Sequence, residues 1–277
     1  MIGNSLRRIW GLIYRHLCLY RRSWPRLLEL AYWPILQMCI WGFTASFITS
    51  RAVMGQQGAG QHDAGLLVAA TALLAGVLLW EVAIRSQMGV AISFLEEIWS
   101  RNLAHVFISP LRPWELILGL IGVATLRVAA GILPAILVAD LLYAFNLFTL
   151  GPILVLFFAN LMIMGWAVAL GVVSLILRHG AGAEALAWSL LFGLTPLSAV
   201  FYPVSALPHW LQPISLAIPA THVFQGMRAA LLQGHTDWSD MLWAVGLNAV
   251  WLAAAGLLFA SQFRAARIRG ALITIGE

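Results

Sequence analysis

The chain contains no lysine, and acidic and basic residues together make up only 10% of its 277 residues. A soluble domain carries about a quarter charged residues and about half apolar ones. The 61% hydrophobic content found here therefore excludes an ordinary soluble fold. Without lysine there is no GxxxxGK[ST] phosphate loop, whose amides and lysine cradle nucleotide phosphates, so the chain is not an ATPase by that route. The GxSxG elbow and the HExxH pair are also missing, and nothing points to hydrolytic chemistry. Energy for any transport must come from a separate nucleotide-binding chain or an ion gradient. Cysteine is scarce as well: Cys18 and Cys39 offer neither a disulfide framework nor a CxxC pair. His209, His222 and His235 are regularly spaced, but no cysteine or carboxylate cluster completes a site, and no metal is expected.

What is present is apolar sequence in membrane-length runs. The chain reads as a single all-α polytopic membrane domain over residues 1–277, with six spans at 30–50, 66–84, 115–143, 151–177, 183–203 and 239–263. Residues 1–26 interleave arginines with an apolar 3–4 spacing, which predicts an amphipathic interfacial helix and no cleavable signal. All sixteen basic residues are arginine, and the +5 balance is read as topology, with no nucleic-acid partner. Thirteen arginines fall on the side of the N-terminus and only Arg51 and Arg228 on the other. Basic residues are retained in cytoplasmic loops, so both termini are expected inside. Many tryptophans fall where spans meet the interface and need no ligand. Gly165 and Gly171 are expected to let another helix approach the fourth span closely.

Two connections carry more information than the spans. On the inner side, Ile92, Leu95, Trp99, Leu103 and Val106 recur at helical spacing over 90–107, with Glu96, Glu97 and Arg101 as polar handles. Such an amphipathic helix lies on a membrane or docks in a partner's groove. On the outer side, residues 204–234 follow a span that ends in PLSAVFYP and hold prolines at 208, 213 and 219. Proline-broken backbone is not tolerated against lipid, which predicts a pair of short re-entrant helices, one near Tyr202 to Trp210 and one through Ile214 to Leu232.

The outer stretch PLSAVFYP, SALPHWLQPISLAIPATH and FQGMRAALLQG resembles the re-entrant region of bacterial ABC transporter type-2 permeases. The inner stretch FLEEIWSRNLAHVFISPLRPWELILG is similar to the cytoplasmic segment of the same family. The resemblance implies the membrane subunit of an ATP-driven exporter in a bacterial inner membrane. That subunit binds no cofactor itself, and its partner ATPase carries ATP and Mg. Other implied partners are membrane lipids and a second copy of the chain or a related permease. It further implies that 90–107 is a coupling helix, with Leu95, Glu96, Glu97, Trp99 and Arg101 meeting the ATPase, the two glutamates through its basic residues. Tyr202, Pro203, Pro208, Trp210, Pro213 and Pro219 would form an outer gate. An amphipathic, lipid-linked or drug-like substrate is expected. A permease-like subunit of a non-transporting ABC complex and a gradient-driven transporter stay as alternatives.

Arg127 falls a third to halfway along the third span. A charge there is costly enough to require a protein-facing or water-facing position. Glu81 or a backbone carbonyl on another span is its expected partner.

Overall fold

The computed structural model describes residues 2–21, 23–55, 60–100, 102, 109 and 111–269. Among these residues there are nine α-helices and no strand: α1 Ile2–Arg21, α2 Trp24–Gly55, α3 Gly60–Trp99, α4 Pro113–Tyr143, α5 Ile153–His179, α6 Ala185–Leu194, α7 Gln212–Leu216, α8 Pro219–Gln233 and α9 Trp238–Ile268. Four stretches are long and apolar enough to cross a membrane: Ala69–Trp99 of α3, α4, α5 and α9. The helix that holds the first expected span, α2, has 32 residues, but Gln37, Thr44, Ser46, Thr49 and Ser50 dilute it. Thr44 and Thr49 return their hydroxyls to the carbonyls of Ile40 and Ala45, which keeps these groups satisfied on the helix itself.

The fifth expected span, 183–203, is helical through only part of its length. Its α-helix, α6, has ten residues, about 15 Å of rise against a hydrocarbon core of about 30 Å. Turns follow at once, because Pro196 supplies no N–H to continue the ladder and Ala199 adopts a left-handed φ of 51°. Helix ends elsewhere follow local chemistry. Pro113 opens α4, and the Glu115 carboxylate accepts the Arg112 N–H at 2.8 Å. Asp237 caps α9 by accepting from the Ser239 N–H at 3.0 Å.

The central element is α5, packed between α3 and α9, while α3 also packs on α4 and α2. Small residues set the α3–α5 distance. A Cβ added at Gly165 would lie 2.8 Å from both the Ala83 carbonyl oxygen and the Ser86 Cβ. Ser86 uses that proximity to donate to the Met162 carbonyl at 2.9 Å. Gly171, by contrast, has nothing within 4 Å of its would-be Cβ, so the expected close approach holds at one of the two glycines. On the other flank, Asn248 of α9 donates to the backbone and side-chain oxygens of Asn160 at 3.0 and 2.9 Å. Polar pairs of this kind hold helices together where lipid removes the hydrophobic drive.

Gly165→Leu should destabilise the fold by about 1–3 kcal/mol through overpacking. Gly171→Leu, entering open space, should stay within about 0.5 kcal/mol. Thermal unfolding of the two variants in one detergent checks the contrast.

Candidate functional site

The connection after α3 is built around carboxylates that fold into the protein. The last ten residues of α3 continue the helix without a break, and Leu95 and Ile98 pack in one apolar cluster with Leu12 of α1, Leu116 and Leu120 of α4 and Val173 of α5. Four acidic side chains near this seam each meet an arginine. Arg8 of α1 reaches Glu115 at 3.3 Å, and Arg15 of α1 pairs with Glu97, which also accepts from Asn102 at 2.7 Å. Glu96 bridges Arg26 of α2 at 3.6 Å and Arg127 of α4 at 3.3 Å. Glu81 holds Arg85 at 3.3 Å one turn along α3. The result straps α1 along the first half of α4, with Leu12 over Gly119 and Ile13 over Gly122.

This arrangement corrects one expectation and meets part of another. Glu96 and Glu97 were expected to reach basic residues of an ATPase, but their partners lie in this chain and Glu97 is 1% exposed. The reason is the apolar face of 90–99, which finds α1, α4 and α5 and carries the glutamates inward with it. Of the expected coupling residues, Leu95 is buried and Trp99 is 53% exposed at the helix end. Arg101, with 103–107 of the expected coupling helix, lies outside the described residues. Arg127 has the expected backbone carbonyl of another span, donating to Gly89 at 3.5 Å, but its carboxylate is Glu96 and not Glu81, and it stacks 4.7 Å from the Tyr20 ring centroid. It sits beside the α1–α2 junction, just below Gly131, whose would-be Cβ meets the Leu30 carbonyl where the first uncharged run begins.

His16 of α1 is sealed under this network. One ring nitrogen, Nδ1, bonds the Leu12 carbonyl at 3.0 Å, and Nε2 stands 3.6 Å from Glu97. Burial pushes its pKa down, the Leu12 carbonyl opposes this, and the charges of Arg15 and Arg127 lower it further. Glu97 is already engaged by Arg15 and Asn102, and burial dominates.

At the end of the bundle away from the arginine-rich network, the proline-broken segment is tied to the spans by polar groups. Tyr202 donates to the Pro196 carbonyl at 2.5 Å, and Arg228 of α8 donates to the carbonyls of Ala199 and Val200 at 2.8 and 3.4 Å. His222 lies between Asp240 at 2.9 Å and the Leu216 carbonyl at 3.0 Å. Trp251 of α9 donates to the Ala217 carbonyl at 3.2 Å. Of the expected gate residues, Pro213 and Pro219 start α7 and α8, while Pro203, Pro208 and Trp210 are exposed on the turns before them. Arg228 and Asp240 were missed as ties of this segment. Their signal in the sequence was a single arginine and a close pair of aspartates, Asp237 and Asp240, beside an apolar, proline-rich stretch.

The ABC-2 type transporter family model matches residues 7–232. The chain belongs to the ABC-2 type transporter family. It is a multi-pass membrane protein and the permease subunit of an ABC transporter. Comparison with curated proteins returns no match. The family match begins on α1 and ends on α8, so the arginine strap and nearly all of the proline-broken segment of the permease fall inside it, while α9, beyond it, packs on α5 and α8.

Glu97→Ala should cost the permease about 1–3 kcal/mol, because it removes the charge-assisted hydrogen bonds that Arg15 and Asn102 make to a buried carboxylate. A fall of that size in unfolding stability, with α1 released to proteolysis, is the expected result. A lowered His16 pKa means that the unfolded chain binds the proton more readily. Its stabilising contribution is present above the ordinary histidine value of about 6.5 and is lost as pH falls below it. The melting temperature should therefore drop between pH 7.5 and 5.5, and His16→Gln should flatten that dependence.

Proposed function

We propose that this chain is the transmembrane half of an ATP-driven exporter that moves an amphipathic, lipid-linked or drug-like substrate outward across a bacterial inner membrane. The observation that carries the reading is the match to the ABC-2 type transporter family over most of the chain. A separate ABC ATPase subunit with its ATP and Mg supplies the energy. Two permease copies, or this chain and a related permease, form the pathway between them, with the arginine-rich end in the cytoplasm.

Support for the coupling comes from α3. Its 40 residues extend about 60 Å, roughly twice the hydrocarbon thickness. The excess length projects at the arginine-rich end and finishes in Trp99, the large apolar side chain left uncovered there at the end of α3. An exposed aromatic at the tip of a rigid helix is the kind of anchor a partner's pocket takes. In this reading the glutamates brace the lever and Trp99 meets the ATPase. Closure of the ATPase pair then shifts α3 together with α1, which the salt bridges tie to it.

The test is co-purification from detergent-solubilised native membranes. The tagged permease should retain an ABC ATPase, and Trp99→Ala should reduce that retention about tenfold, the scale of one anchor residue, without lowering the melting temperature. Absence of any ATPase from the folded permease would overturn the reading. An ATPase that is bound and hydrolyses ATP without moving any amphipathic substrate in vesicles would point to a non-transporting ABC complex.

A further inference from the structure

A small cavity of about 110 Å³ lies at the junction of α1 and α2 against α3 and α4. Its polar wall is made by Tyr20, Arg26, Glu29, Arg85, Glu96 and Arg127. Leu30 closes it on the side where the uncharged run to Ser50 begins. That run is 21 residues, about 30 Å of helix and therefore one hydrocarbon thickness. The cavity thus sits at the level of the lipid headgroups.

The charges of this cavity balance in number but not in space. Arg26, Arg85 and Arg127 face Glu29 and Glu96, and Glu81 holds Arg85 from the side. Glu96 is committed to Arg26 and Arg127 together. Two groups keep capacity. The Nε of Arg127 is buried with no hydrogen-bond partner, although the residue is only 7% exposed. Among the described residues Glu29 forms no ion pair, and it is close enough to act on the charge of Glu96. A buried guanidinium donor without an acceptor is costly to maintain, and a free carboxylate on the same wall supplies the opposite pole.

We propose that this cavity is a headgroup site for a resident phospholipid that carries a primary ammonium, a phosphoethanolamine lipid. Its phosphate accepts from Arg127 Nε and from Arg26, charge-assisted contacts for which guanidinium geometry is suited. Its ammonium donates to Glu29 and to the outer edge of Glu96. A zwitterion leaves the balance of the wall unchanged. An anionic glycerol headgroup would add uncompensated charge beside two carboxylates, and a choline headgroup has no N–H to donate. The lipid wedges the bend between α1 and α2, and its binding is independent of what the permease transports.

The experiment reconstitutes the purified full-length permease in nanodiscs of mixed phosphoethanolamine, phosphocholine and phosphoglycerol lipids. After delipidation of the annulus, retained lipid is counted by mass spectrometry. The expected result is about one phosphoethanolamine lipid per chain, enriched about tenfold over the other two, the factor for one charge-assisted hydrogen bond. Glu29→Gln, at an exposed position that forms no ion pair among the described residues, should remove the enrichment while the melting temperature in detergent is kept. Equal retention of phosphocholine lipid, preference for phosphoglycerol lipid, or enrichment that survives Glu29→Gln would each overturn the proposal. Displacement of the retained lipid by free phosphoethanolamine at equal concentration would also overturn it, and would assign the cavity to a soluble zwitterion.

Discussion

A carboxylate as deeply enclosed as Glu97 cannot stay ionised without a cation beside it, and this constraint organises one end of the molecule. The desolvation penalty of a buried charge is recovered only when its partner is close and its remaining lone pairs are filled. Arg15 and Asn102 do this for Glu97, while Arg26 and Arg127 do it for Glu96. Because these cations come from α1, α2 and α4, three helices must converge on the end of α3 before any one of them is stable there. The arginine row of α1 therefore serves as an assembly code as well as a topology signal.

The opposite face relies on carbonyls. The outer segment breaks its own helices with prolines, which frees backbone oxygens that lipid cannot satisfy. Arg228 and Trp251 supply donors to Ala199, Val200 and Ala217, and His222 meets Leu216. The balance of chemistry thus differs between the ends: ion pairs between side chains lead where arginine is plentiful, and side chain to backbone bonds, joined by the His222–Asp240 pair, lead where charge is rare.

Sequence legibility follows from these differences. The apolar runs of α4, α5 and α9 could be read because charges bracket them. The length of α3 could not, because Glu81, Arg85, Ser86 and Gln87 look like the end of a span, yet the first two pair with each other and Ser86 bonds α5. Hydropathy also overstated α6, since an apolar composition says nothing about the turn after Thr195. The family was readable from the motifs around Glu96 and Pro203, and the matched range contains both. The partner of the acidic pair was not readable, because a helical apolar face has the same periodicity whether its groove is in another protein or its own chain.

One unbroken helix touches both systems. Near its outer part, a Cβ at Gly76 would stand 2.9 Å from the Val200 carbonyl, and Trp80 donates to Thr195 at 3.2 Å. Twenty residues beyond Gly76, Glu96 enters the inner network. Successive helical residues turn by about 100°, so the two sets of contacts share a single angular phase. A one-residue insertion or deletion between Trp80 and Glu96 would leave the span long enough to cross the membrane, yet swing one set about a quarter turn away from its partners. The length of this interval is therefore held by azimuth, in steps of whole helical turns, and not by membrane thickness.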